Sequence, residues 1–323
     1  MPLTVCVIGA GIIAQEHLKA AMQMDELEVL AIAEIHNSRR IQTCEQYEIR
    51  GYTFYEEMVL VEKPDIVVIT LPHHLHKDAA LFCAKHNAHI LLEKPMGINE
   101  KECRTILSAR NENNIELMVG HTQHYFIENQ AAREIVASER LGKLLSINET
   151  RHLPYFTEDR PSWFLENQKA GGGIMMNLGS HCIDKIQWIT NSNITSVTAH
   201  LTYPPDFDIE GSGMIWCTTT KNIPICITIS GYEGVPRHET EFIFSNGMMK
   251  MEVGKGIWIS EGNQYKSYVL PSQSSLFQGQ LSDLVKAIYK EKPLECTGEY
   301  AASIINVIEK IYESHHRKAT ILV

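Results

Sequence analysis

The chain lacks any pair of cysteines at C-x-x-C spacing. Cys6, Cys44, Cys83, Cys103, Cys182, Cys217, Cys226 and Cys296 are scattered, so neither a disulfide framework nor a thiolate metal site is indicated and reduced thiols are expected. No apolar run approaches the roughly 20 residues needed to span a bilayer. No basic segment followed by an apolar one opens the chain, so a cytoplasmic location is expected. Positive charge is also scarce: 29 Lys and Arg stand against 39 Asp and Glu, a net charge of −10. That balance disfavours nucleic acid or an anionic membrane surface as the main partner. Internal repeats and low-complexity tracts are absent too. What remains is an ordinary globular composition, 44% hydrophobic over 323 residues, long enough for two cores.

The first third alternates β-rich runs with amphipathic segments, the pattern of a parallel sheet with helical crossovers. Thr4–Ile8, Glu28–Ala33, Ile66–Thr70, His89–Leu92 and Glu116–Val119 read as strands. Ile12–Met24, Ser38–Tyr47, Leu75–His86 and Asn99–Asn113 read as helices, the last starting at an Asn cap. The rhythm stops near Gly120–Phe126. A helix over Glu128–Glu139 and a strand over Leu144–Thr150 follow, then a loop with Pro154 and Pro161, then a helix after Gly171-Gly172-Gly173. Seven further strands begin at Ser196, Gly213, Pro224, Thr240, Met248, Ile257 and Tyr265, separated by turns such as Asn246-Gly247. Helices over Leu276–Lys290 and Glu299–His315 close the chain. The expected class is α/β: a doubly wound parallel sheet over residues 1–122, then an α+β domain with a large, mostly antiparallel open sheet over 123–323. The last helices are allowed to pack back on the first domain.

Gly9-Ala10-Gly11-Ile12-Ile13-Ala14 follows the first strand and opens the first helix. Gly9 permits a tight turn, Gly11 admits a pyrophosphate close to the backbone, and Ala14 keeps helix and strand together. An acid at the end of the second strand, Glu34, suits the ribose hydroxyls and repels a 2′-phosphate. A Rossmann domain binding NAD(H) follows, with NADP(H) as the alternative because Arg39 and Arg40 lie close by.

Beyond that turn, Leu71-Pro72-His73-His74-Leu75-His76, the triplet Glu93-Lys94-Pro95, the glycines 171–173, and Asn177, Gly179, His181 and Asp184 together resemble the Gfo/Idh/MocA family, the glucose-fructose oxidoreductase and inositol dehydrogenase group. The likeness continues through Gly298-Glu299 and Tyr312-Glu313-Ser314 and covers essentially the whole chain. It implies that Leu71, Pro72, His73, His76, Glu93 and Lys94 face the cofactor, with His76 also capping the helix it opens. It further implies that Lys94, His181 and Asn177 are catalytic, and that Arg160 and Trp163 join Lys94, Asn177 and His181 at the substrate.

Lys94 has independent support, because open α/β sheets place ligands beyond the carboxyl ends of their strands. An ammonium there stabilises developing alkoxide. If 174–189 is helical, Asn177, His181 and Asp184 share one polar face while Leu178, Cys182, Ile186 and Ile189 form the packing face. That geometry alone also fits a solvated stripe with an incidental histidine; it is the resemblance that implies His181 is the general base. Asn177 stands where the family has an acid, so the base loses a charged neighbour. His73, His74 and His76 have no compelling partner ligand, and no metal is expected.

The expected activity is NAD(H)-dependent oxidation or reduction of a sugar, cyclitol or derivative, a small polyhydroxylated substrate, by a homodimer or homotetramer. Two alternatives remain: an NAD-dependent glycosidase that oxidises its sugar transiently, and a non-catalytic NAD(H) sensor or scaffold.

Overall fold

The computed structural model describes residues 1–323, which form two compact units. The first comprises Met1–Thr122 and Ser274–Ala302, the second Gln123–Gln273 and Ser303–Val323. Residues 274–302 therefore lie in the first unit, although a division at 122/123 puts them in the second.

In the first unit, β1 (Leu3–Ile8), α1 (Ile12–Ala21), β2 (Leu27–Ala33), α2 (Asn37–Tyr47), β3 (Arg50–Tyr52), α3 (Tyr55–Glu62), β4 (Ile66–Ile69), α4 (His76–Lys85), β5 (His89–Leu92), α5 (Glu100–Asn113) and β6 (Leu117–Val119) follow in order. The six strands are parallel in the order β3-β2-β1-β4-β5-β6. β1, β4 and β5 read as nearly continuous aliphatic runs because helices cover both faces of such a sheet. β3 and α3 were not expected. β3 has three residues, and Phe54, Leu60 and Val61 face solvent, so neither element carries a clear period. Asn99 caps α5 as expected, its side chain accepting from Glu102 N at 2.9 Å.

The late stretch completes this unit. Val119 N donates to Cys296 O at 3.2 Å and Met118 bridges Thr297, so the β6 edge is covered. Phe277, on a helix that begins at Leu276, meets the His17 ring edge-on at 4.8 Å.

The second unit contains α6 (Ile127–Ala137), β7 (Leu144–His152), the short α7 (Asn167–Ala170) and α8 (Ser180–Thr190). The strands β8 (Ile194–Thr202), β9 (Ser212–Thr219), β10 (Pro224–Ser230), β11 (Arg237–Phe244), β12 (Gly247–Glu252), β13 (Gly256–Glu261) and β14 (Gln264–Tyr268) then follow. α9 (Leu276–Ile288) belongs to the first unit, α10 (Gly298–Arg317) begins in the first and continues in the second, and β15 (Ile321–Leu322) ends the chain. Nine strands pair in the order β14-β13-β12-β11-β7-β10-β9-β8-β15. Every neighbouring pair is antiparallel except β7 and β10. Alternation along β9 buries Ile215 and Cys217 and leaves Met214 61% and Trp216 56% exposed on the opposite face.

The segment leading into α8 departs from the expected helix. Met175–Gly179 forms a π-helical turn before α8 begins, so residues before and after it no longer share the phase of one α-helix. Every residue of α8 except His181 is buried. The expected polar face is therefore internal: Asp184 and Lys185 are both fully buried and meet partners inside the unit.

Buried Glu210 sets the start of this helix. Its carboxylate accepts from Gly173 N at 2.9 Å and Met175 N at 2.8 Å, and Tyr312 Oη donates to it at 3.0 Å. A Cβ on Gly173 would lie 2.3 Å from Glu210 O, and one on Gly172, at φ +148°, would lie 2.0 Å from Tyr312 Oη. The consecutive glycines are thus required by close approach of backbone and phenol. Gly173→Ala is expected to cost about 1–3 kcal/mol through overpacking, read as a lowered denaturation midpoint; an unchanged midpoint would refute the steric account.

Candidate active site

Within the first unit, Gly9 has φ +94°, and a Cβ there would lie 2.8 Å from Thr70 Oγ1 and 2.9 Å from Thr70 O. Only glycine fits the turn between β1 and α1. Gly11 caps α1, and a Cβ there would meet nothing within 4 Å. The first amides of α1 have no intrahelical acceptors, and its first turn carries no acid. Ile12 is 87% exposed and Ile13 also faces outward. An open helix N-terminus rimmed by exposed aliphatic residues fits a dinucleotide pyrophosphate and its flanking groups.

Glu34 is fastened to this turn. Its Oε2 accepts from Ala10 N at 3.0 Å and its Oε1 from His36 N at 2.8 Å. Arg39 Nη1 lies 3.3 Å from Oε2, and Arg40 Nη1 donates to Glu34 O at 2.6 Å. Both arginines are thus engaged with Glu34, which tempers any role in holding a 2′-phosphate.

His76 is buried, with Nδ1 2.8 Å from Pro95 O and Nε2 2.7 Å from Leu71 O. It ties the segment after β4 to the segment after β5. The capping expected of it is not observed, since no side chain caps α4. His73 is buried beside it, the rings 5.9 Å apart, and Leu71 and Pro72 are half-buried.

Glu93 points toward α1: its Oε1 lies 2.9 Å from His17 Nε2, and its Oε2 accepts from Lys94 N at 3.2 Å. Burial pushes the Glu93 carboxyl upward, but the hydrogen bond and charge of His17, together with Lys94, outweigh it and hold the group below its ordinary value. The acid of the Glu-Lys-Pro triplet therefore positions its neighbour. Lys94 is partly exposed past the carboxyl end of β5, and its peptide to Pro95 is cis. No cluster of three His, Cys, Asp or Glu side chains is arranged to hold a metal ion.

Within the second unit, His181 is the partly exposed residue at the buried start of α8. Gln123 Nε2 lies 3.5 Å from His181 Nδ1. Asn129 Nδ2 donates to Gln123 O at 2.7 Å and to Gln123 Oε1 at 3.2 Å, so the Gln123 carboxamide is turned with its nitrogen toward the imidazole. Asn177 is buried, and its side chain hydrogen-bonds the Tyr155 phenol. Asp184 accepts from His124, Oδ1 to Nε2 2.8 Å, and the His124 ring stacks on Trp188 at 4.6 Å. Asp184 is thus an internal partner of His124, away from the shared face expected with His181.

Arg160 donates through Nε to Tyr155 O and lies over the Tyr155 ring at 4.0 Å. Trp163 stacks on Phe164 at 3.7 Å. Arg160 thus fastens the loop before the glycines to Tyr155, while Trp163 stacks on its own chain neighbour. Sequence reading missed Gln123, Asn129 and Glu210, for which no periodicity or spacing gives a signal.

Fold and turn together define an NAD-binding Rossmann unit joined to a second unit with a large mixed sheet. Family models match both parts: the oxidoreductase family with an NAD-binding Rossmann fold over residues 3–121, and the GFO/IDH/MocA C-terminal domain over 129–250. The chain belongs to the GFO/IDH/MocA oxidoreductase family.

An uncharacterized oxidoreductase of Streptococcus pneumoniae is 25% identical over 194 residues, 59% of this chain and 51% of that protein. The chain therefore spans only about half the length of that relative. The rhizopine catabolism protein MocA of Rhizobium meliloti is 22% identical over 315 residues, 95% of this chain and 93% of that protein. Among solved structures, aldose-aldose oxidoreductase from Caulobacter crescentus complexed with glycerol matches with a TM-score of 0.91 at 18% identity, covering all of both chains.

Because both Glu34 oxygens accept turn amides, Glu34→Ala is expected to weaken NADH binding by about tenfold or more. It should also narrow the preference over NADPH. Fluorescence titration with both cofactors measures this; an unchanged NADH affinity would remove Glu34 from the site.

Proposed function

We propose that the chain is an NAD(H)-dependent dehydrogenase or reductase that transfers hydride at a hydroxyl or carbonyl carbon of a small polyhydroxylated substrate. The observation that carries this reading is the placement of Lys94. It stands past the carboxyl end of a parallel strand, its own amide held by Glu93, in the unit that carries the dinucleotide turn. The relative complexed with glycerol, named for acting on aldoses, supports the polyol class.

When bound, NAD supplies the hydride acceptor. Gly9, Gly11, Ile12, Ile13 and Glu34 would hold it, together with Leu71, Pro72 and His73, while His76 and Glu93 fix the backbone around Lys94. Lys94 places an ammonium at the reacting oxygen, where it stabilises alkoxide character. His181 exchanges the hydroxyl proton. With the Gln123 amide nitrogen toward Nδ1, the neutral ring carries its proton on Nε2. Accepting a proton at Nε2 then requires a change of tautomer. The exposed side chains Met214 and Trp216 suit burial between subunits of a homodimer or homotetramer.

Asn177 favours a second reading. Its amide serves Tyr155 at the position where the family resemblance implies an acid, as in a protein that binds NAD(H) without turnover. Polyols and sugars offered with NAD or NADP, followed by absorbance of the reduced cofactor, separate the two. Turnover that Lys94→Ala lowers by about 10²-fold or more supports the enzyme, whereas tight NADH binding with no turnover supports the sensor. Gln123→Glu gives Nδ1 a carboxylate acceptor and favours the imidazolium. The acidic limb of kcat/KM for oxidation should move up by about 1 pH unit or more. An unmoved limb would remove His181 from proton exchange.

A further inference from the structure

The second unit holds a string of ionisable side chains on the face of its sheet that α8 covers. Lys185 is fully buried, its Nζ 2.8 Å from Glu149 Oε1, 2.7 Å from Thr240 Oγ1 and 3.3 Å from His238 Nε2. Glu149 Oε2 accepts from Thr240 Oγ1 at 2.6 Å. This carboxylate is therefore fully used by Lys185 and Thr240.

Two residues further along β7, on the same face, stands Arg151. It is half-buried, and its only polar partner is His238, whose two ring nitrogens each lie 2.6 Å from Arg151 Nη1. The other arginines of the unit are provided for. Arg237 and Arg317 pair with Glu239 and Glu313, while Arg133, Arg140 and Arg160 lie over aromatic rings. A guanidinium has five donors and normally meets a carboxylate when it leaves water. Arg151 has none. His238 adds no negative charge: burial, then the charges of Lys185 and Arg151, push its titration far down, so it stays neutral. His152, next along the strand, has a buried Nε2 with no hydrogen-bond partner.

This uncompensated cation lies at the His181 end of α8. Lys185, which reaches Glu149, follows His181 by one helical turn. Moving back along α8 leads toward the carboxyl end of β7, because Ile174, just before the helix, packs against Gly231, which follows the β10 residue paired with His152. The Arg151 charge is also near enough to act on the thiol of Cys182, the neighbour of His181.

We infer that Arg151 is a substrate-binding residue that receives a carboxylate, so that the substrate is an acidic sugar or polyol such as an aldonate or uronate. The inference rests on the reading of His181 as the group at the reacting carbon. One uncompensated positive charge matches a monoanion, and the planar fork of arginine suits a carboxylate.

Calorimetric titration of the full chain loaded with NADH tests this with matched pairs: D-gluconate against D-glucitol, D-glucuronate against D-glucose, and glycerate against glycerol. At least one acid should bind about tenfold or more tightly than its neutral counterpart, the scale of hydrogen bonds to a charged group. Arg151→Gln should bring that ratio to about one, and Arg151→Lys should retain part of it. If no acid outbinds its counterpart, or if the preference survives in Arg151→Gln, the inference is overturned. Preferential binding of an acid that yields no NADH when offered with NAD overturns the dehydrogenase reading and leaves the carboxylate site standing.

Discussion

A buried carboxylate with no charged partner organises the second unit. Glu210 is desolvated, which pushes its titration up, yet it is surrounded by donors from Gly173, Met175 and Tyr312. Those bonds replace the water it gave up. They also bring three separated stretches together: the loop between β8 and β9, the glycine run, and the last helix. α8 starts from that junction, and the position of His181 follows from it. Loss of the carboxylate would strand two backbone amides and a phenol in the interior, at a cost of roughly 1–3 kcal/mol for each unsatisfied group.

A similar arrangement governs the first unit, where acids fasten the backbone. Glu34 closes the turn that it is expected to serve, and Glu93 fixes the amide of the lysine that follows it. His76 bridges two carbonyls beyond the ends of β4 and β5. Residues that share a motif thus divide the labour: Lys94 is left partly open while its neighbours set its place.

Much of this was legible in the sequence. The parallel strands of the first unit, the Asn99 cap and the turn at Gly9 each have a local cause, in aliphatic runs, a side-chain acceptor and a required positive φ. The order of the second sheet was not legible, since β7 pairs in parallel with β10 across a long stretch of chain. The expected polar face of 174–189 failed because the π-helical turn shifts the phase, and because Asp184 and Lys185 find buried partners on distant elements. A helical wheel treats such residues as solvated. Gln123 and Arg151 were illegible for a related reason: their roles depend on which side chains surround them, and on which do not.

The first unit is assembled from two stretches, 1–122 and 274–302, with eight of the nine strands of the second sheet, β7 to β14, encoded between them. During synthesis the β6 edge and the outer side of α1 must wait for Cys296, Thr297 and Phe277 to leave the ribosome. The nascent nucleotide unit thus spends most of its translation with a raw strand edge, a template for unwanted pairing. Its completion is timed by a segment encoded after strands β7 to β14 and not by its own first stretch.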